Sequence, residues 1–142
     1  MYLNKYMVEV VEGYKCEKCE DDSKKRRVLL IGHGPDILTV QLKRFDWDGT
    51  KVNTSVRIPT SLDLDNYRDV GNDNQMRYEL TAVIKHAGSG GFGHYVCDAV
   101  AGDGEWYHFD DDRKSKSSVA EATSNSRSGF TPYILFFRRK EE

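Results

Sequence analysis

Apolar and polar positions alternate with period two along most of the chain, the signature of strands with one buried face. Tyr6 to Glu12 reads as a first strand leading into a turn around Cys16 and Cys19, and Arg26 to Ile31 is a short apolar run bounded by Gly32 and Gly34. From Ile37 to Phe45 the alternation is clear: Leu38, Val40 and Leu42 point one way, Thr39, Gln41 and Lys43 the other. Asp48-Gly49 is a hairpin turn signal, so Lys51 to Ile58 reads as the returning strand, stopped before Pro59. Tyr78 to His86 follows, with Tyr78, Leu80, Ala82 and Ile84 expected on one face, and then His94 to Val100, Trp106 to Phe109 and Pro132 to Phe137. Only Ser117 to Ala122 carries a helical pattern. The polar stretch 65–76, the glycine-rich stretch 87–93 and the serine-rich stretch 115–128 read as loops. Strands joined by short turns predict a mainly antiparallel sheet with little helix.

Composition narrows the class. A chain of 142 residues suits one domain. A net charge of −2 removes bulk electrostatics as a reason to expect a nucleic-acid partner. No stretch approaches the roughly 20 apolar residues of a membrane span, and Met1-Tyr2-Leu3-Asn4-Lys5 lacks the apolar core of a signal peptide. Three cysteines, two of them spaced C-x-x-C, argue against a secreted disulfide framework. The expectation is a reducing intracellular compartment, cytoplasmic or nuclear.

His94 follows a glycine-rich loop and opens a strand, which raises the question of what it faces. If Ala101-Gly102-Asp103-Gly104 forms the connecting loop, Val100 pairs with Glu105 and His94 lies opposite Asp111, with Asp110 and Asp112 as neighbours. A two-residue turn would instead move the pairing to Arg113. Opposed residues on antiparallel strands have Cβ atoms roughly 4.5–5.5 Å apart, within reach of a carboxylate–imidazole hydrogen bond. The spacing predicts a His–Asp pair without choosing the aspartate, and the pair suits a general base oriented by an acid.

A nucleophile is harder to find. Cys97 lies three positions along the same strand, so its side chain points to the face opposite His94 and reads as a small buried cysteine. No serine between 115 and 128 sits in a strand-to-helix elbow. His86 reads as a hydrogen-bonded structural histidine, while His33 and His108 read as exposed polar residues. Lys24-Lys25-Arg26-Arg27 reads as a solvated hairpin beside Glu20-Asp21-Asp22. Trp47, Trp106, Phe136 and Phe137 are packing residues or, in part, exposed apolar surface.

Several stretches together carry a family resemblance: Tyr14-Lys15-Cys16-Glu17-Lys18-Cys19, "ILTVQLKRF" from Ile37, "IPTSLDL" from Ile58, "YELTAVIKHAGSGGFGHYVCDAV" from Tyr78, and "EWYHFDDD" from Glu105, followed by "PYILFFRR" from Pro132. In this order they resemble the C-terminal part of the catalytic domain of ubiquitin-specific proteases, which are papain-like cysteine proteases. The resemblance implies an α+β papain-like fold in a single partial catalytic domain, with 1–35 a remnant of the fingers region and 36–142 the palm sheet. It assigns His94 as general base, Asp110 as the acid that orients it and Asp111 as an assisting neighbour. Gly93 and Tyr95 would flank the channel for ubiquitin's Gly-Gly tail. Gly90 and Phe92 would join them in substrate binding from the blocking loop 87–92, and 65–76 would form a second blocking loop.

The family's catalytic cysteine belongs to an N-terminal lobe with no counterpart in these 142 residues. The expectation is therefore a deubiquitinase family member supplying base and orienting acid but not the nucleophile, and inactive alone. The alternative is an inactive remnant that binds ubiquitin or another partner. No cofactor is required by this chemistry. Family zinc sites use two C-x-x-C pairs, so zinc on Cys16 and Cys19 would need ligands from a missing segment. The implied partners are ubiquitin or a ubiquitin-conjugated protein, and the missing lobe or another chain.

Overall fold

A computed structural model describes residues 7–13, 15, 17–18, 24–71, 75–89, 92–125 and 129–141. The chain divides into two compact units, Met1–Gly34 with Leu64–Met76, and Pro35–Asp63 with Arg77–Glu142. Among the described residues no helix is long and apolar enough to cross a membrane.

The first unit carries an antiparallel hairpin of β1 (Val8–Val11) and β2 (Lys25–Val28), with Val8 opposite Val28. The hairpin buries little, and its charges are matched on the surface by Lys24–Glu12 and Arg27–Glu9 ion pairs. The basic run at 24–27 is thus a solvated hairpin edge. Leu64 and Met76 are buried, and the Leu64 N–H donates to the Met76 carbonyl. A single 3-10 turn covers Asp65–Tyr67, within the stretch read from sequence as a loop.

The second unit is built on an antiparallel sheet with strand order β3-β9-β5-β6-β7-β8. Its strands are β3 (Ile37–Gln41), β4 (Ser61–Asp63), β5 (Arg77–Gly88), β6 (Gly93–Val100), β7 (Trp106–Asp110), β8 (Arg113–Lys116) and β9 (Thr131–Arg139), and β4 pairs with the start of β5. One short helix, α1 (Val119–Thr123), begins at Ser118, whose hydroxyl accepts from the Glu121 N–H. The mainly antiparallel, helix-poor architecture is the one the alternation predicts. Tyr78, Leu80, Val83, Val96, Leu135 and Phe137 are buried in it. Each such large apolar side chain contributes about 1.5–3 kcal/mol by leaving water.

Three local expectations are corrected, and one alternative is resolved. A β-bulge at Thr81 shifts the β5–β9 register between Leu80 and Ala82. The extra residue reverses the inside–outside alternation, so Val83 rather than Ala82 continues the buried row from Tyr78 and Leu80. The returning strand from Lys51 to Ile58 does not form; only a Phe45–Lys51 bridge remains. The cause is Arg44, 2% exposed, whose guanidinium donates to the carbonyls of Val52, Thr54 and Pro132 and takes the place of a ladder. Residues 113–116, within or next to the expected serine-rich loop, form edge strand β8 instead. Trp47, at the tip of the 46–49 turn, is 99% exposed and packs nothing, whereas Phe137 at 1% is core.

Candidate active site

The β6–β7 connection sets the geometry. Val100 pairs with Trp106, one residue beyond the expected register, because the turn uses three residues, Gly102 to Gly104, closed by Ala101–Glu105 and Ala101–Gly104 backbone bonds. Gly104 has φ +80, the left-handed conformation that a three-residue hairpin loop requires and glycine adopts without penalty. Moving the register by one residue changes which aspartate shares a face with His94. Residues 94, 96 and 98 of β6 now align with 108 and 110 of β7, and Asp111 drops out of the row.

His94 Nε2 lies 2.5 Å from Asp110 Oδ1. The β6–β7 ladder ends at Cys97–Phe109, so this contact spans strands that no longer share backbone bonds. Both side chains are about half exposed, at 44% and 42%. Asp111 has φ 53 and begins the tight turn into β8. One side-chain nitrogen or oxygen from each of His94, Asp110 and Asp111 lies within 4.8 Å of the others. The hydrogen bond to Asp110 is the main cause that raises the His94 pKa; desolvation opposes it, and the charges of Asp111 and then Asp110 add to the rise. The same bond is the main cause that holds Asp110 below the ordinary carboxylate range. With Nε2 committed to Asp110, the Nδ1 edge of the ring is left for an incoming group. Phe130 packs edge-on against the imidazole at 6.0 Å between centroids, a contact with no signal in the local sequence.

Cys97 occupies the opposite face of β6 by strand alternation, and burial, then the charge of Asp98, pushes its thiol pKa up. It is poorly suited to act as a thiolate. Gly93 makes a close approach: a Cβ there would fall 2.0 Å from His86 Nε2 and 2.5 Å from the Ala87 carbonyl oxygen. Tyr95, on the face away from His94, packs against His86 with the rings tilted by 44° and 4.6 Å between centroids. Phe45, His86, Ser89, Phe92, Gly93, Tyr95 and Tyr133 line a cleft of about 360 Å³. Phe92 is 89% exposed at its rim. The sequence singled out Gly93, Tyr95 and Phe92, but Phe45, beyond the end of β3, and Tyr133, in β9, are distant in sequence and only tertiary structure brings them together. Gly90, Cys16 and Cys19 lie outside the described residues.

Two histidines depart from their sequence readings. His86 is buried, but its Nδ1 has no hydrogen-bond partner; aromatic rings surround it instead, and burial followed by the Lys51 charge lowers its pKa. His108 is not a solvent-facing residue: its Nδ1 lies 3.0 Å from Asp98 Oδ1. Asp98, 1% exposed, also meets Lys85 Nζ at 3.0 Å and the Ser117 hydroxyl at 2.8 Å. A charged residue at an inward position of a strand was the available sequence signal for this cluster.

Comparison with known proteins points one way. Residues 4–137 match the family model described as ubiquitin carboxyl-terminal hydrolase. Ubiquitin carboxyl-terminal hydrolase 9 of Arabidopsis thaliana is 37% identical over 129 residues, covering 87% of this chain and 14% of that protein. Ubiquitin carboxyl-terminal hydrolase 15 of Rattus norvegicus is 32% identical over 146 residues, covering 99% and 15%. Among solved structures, a SAGA DUB module of Ubp8, Sgf11, Sus1 and Sgf73 superposes with TM-score 0.79 at 26% identity, covering 98% of this chain and 32% of the matched one. A second such module, bound to monoubiquitin, gives 0.75 at 27% identity, covering 94% and 30%. The chain thus spans about one-seventh of the length of the two relatives.

Proposed function

The chain belongs to the ubiquitin carboxyl-terminal hydrolase family, and from that premise we propose that it carries the base-bearing part of a thiol-dependent deubiquitinase site, acting on the bond after ubiquitin's C-terminal glycine. The single observation that carries this reading is the His94–Asp110 contact. In the proposed reaction His94 Nδ1 takes the proton of a cysteine thiol, the thiolate attacks the glycine carbonyl, and the imidazolium then protonates the leaving amine. Asp110 fixes the ring's orientation and stabilises its charged form, with Asp111 adding negative potential. Gly93, Tyr95 and Phe92 line the approach of the substrate tail.

The attacking sulfur comes from a segment or chain beyond these 142 residues, because Cys97 is on the wrong face with a raised thiol pKa. The reaction needs a thiol, a base and an acid, and no cofactor. Cys16 and Cys19 supply two of the four ligands a structural zinc site takes, so they do not by themselves fit the metal.

A second reading, a non-cutting module that binds ubiquitin or another partner, is favoured by the aromatic cleft, which exists without any nucleophile. Complementation separates the two. The chain is combined with the nucleophile-bearing lobe of a relative and assayed on a ubiquitin C-terminal ester. Turnover that His94→Ala abolishes supports the enzymatic reading; ubiquitin binding with no turnover supports the second.

A further inference from the structure

A second polar cluster lies on the same face of the sheet as His94 and Asp110. Asp98 sits four residues along β6 from His94, and His108 two residues along β7 from Asp110, and the two are Cα partners across the ladder. Asp98 Oδ2 accepts from Lys85 Nζ at 3.0 Å, while its Oδ1 accepts from His108 Nδ1 at 3.0 Å and from the Ser117 hydroxyl at 2.8 Å. Lys85 Nζ also donates to the Glu121 carbonyl of α1 at 2.5 Å. One carboxylate, 1% exposed, thereby ties β5, β6, β7 and the entry to α1 together. One pair further on, at Cys97–Phe109, the ladder ends and the strands run on to His94 and Asp110 without it. Asp98–His108 is the last same-face crosslink before that gap.

We propose that Asp98 and His108 are positioning residues, setting the spacing of β6 and β7 so that Asp110 meets the His94 imidazole at hydrogen-bond distance. The role rests on the reading of His94 as a base oriented by Asp110. A short hydrogen bond tolerates little lateral displacement, and His94 and Asp110 share no neighbouring backbone bonds to hold them in line. The charged groups around the pair are few: Asp110 and Asp111 act on His94, and His108 and Arg113 act on Asp110.

The test reads the ring titration of His94 by NMR in the full chain, with thermal unfolding recorded on each variant. His108→Leu removes the crosslink at β7 and leaves Lys85, Asp98 and Ser117 joined; His108→Gln can still donate to Asp98. The expected result is a downward shift of the His94 midpoint toward the ordinary histidine value in His108→Leu, reversed in His108→Gln. The sign is diagnostic. Loss of any positive charge at position 108 would by Coulomb's law move the His94 midpoint up, and loss of a neutral ring would leave it in place, so a fall reports lost alignment with Asp110. The double variant Lys85→Met/Asp98→Leu keeps the buried volume apolar and neutral while freeing His108 and Ser117, and it is expected to lower the midpoint as well. An unchanged or raised His94 midpoint in the folded His108→Leu chain overturns the proposal, as does an unchanged midpoint in the double variant should His108→Leu fail to fold. Neither outcome depends on turnover, so a failed complementation assay would refute the base reading separately.

Discussion

Two aspartates on neighbouring strands each meet a histidine across the β6–β7 junction, and their surroundings differ sharply. Asp98 is buried with three side-chain donors around it, and its pair with Lys85 is 2% and 3% exposed. Asp110 bonds His94 beyond the last ladder pair of β6 and β7, where both side chains are nearly half exposed. The buried carboxylate, saturated with donors, serves the fold. The open one retains solvent access and leaves the second ring nitrogen of its histidine for an incoming group, as the proposed proton transfer requires. A carboxylate–imidazole pair thus occurs twice, at positions two residues apart along β7, once closed and once open.

The strongest way to break this contrast is Asp98→Ala. Stranding Lys85 in the interior should cost about 3–5 kcal/mol, the usual penalty for halving a buried ion pair, read from denaturant unfolding. A loss no larger than that of an ordinary surface substitution would mean that Lys85 finds water and that Asp98 is not structural. Next comes Gly93→Ala. With a backbone oxygen 2.5 Å from the new methyl, the start of β6 must move, at roughly 1–3 kcal/mol. An unaffected melting temperature would show that the close packing against His86 and Ala87 is dispensable.

Asp110→Asn should change stability little overall, but with a characteristic pH dependence. The raised His94 value makes its contribution fully present below the ordinary histidine range and lost as pH rises through the raised value. The lowered Asp110 value makes its contribution present above the ordinary carboxylate range and lost as pH falls through the lowered value. The stability difference between the wild-type chain and Asp110→Asn should therefore peak in mildly acidic solution and shrink on either side. A flat difference from acid to alkali would show that the contact is not a charge-coupled pair. The smallest effect belongs to Cys97→Ser, which should leave turnover of the complemented enzyme unchanged, while native Cys97 alkylates slowly.

Much of this arrangement can be read in the chain itself, and the exceptions have identifiable causes. Period-two alternation locates most of the strands because each presents one face to a core. It fails at Thr81, where a single extra residue reverses the faces, and after Lys51, where the Arg44 guanidinium satisfies carbonyls that a strand would have paired. A histidine facing an aspartate follows from hairpin arithmetic, but choosing Asp110 over Asp111 depends on a three-residue turn with Gly104 in the left-handed region. Asp98 and His108 face each other across that same hairpin, but the Lys85, Ser117 and Phe130 contacts come from other segments, to which the arithmetic of this hairpin does not extend.

The most direct measurement is hydrolysis of a ubiquitin C-terminal ester by the 142-residue chain alone, with His94→Ala and Cys97→Ser alongside. The expected result is no turnover in any of the three. Turnover by the unaltered chain that disappears in both variants would contradict the account, because it would place base and nucleophile on the same strand despite their opposite faces.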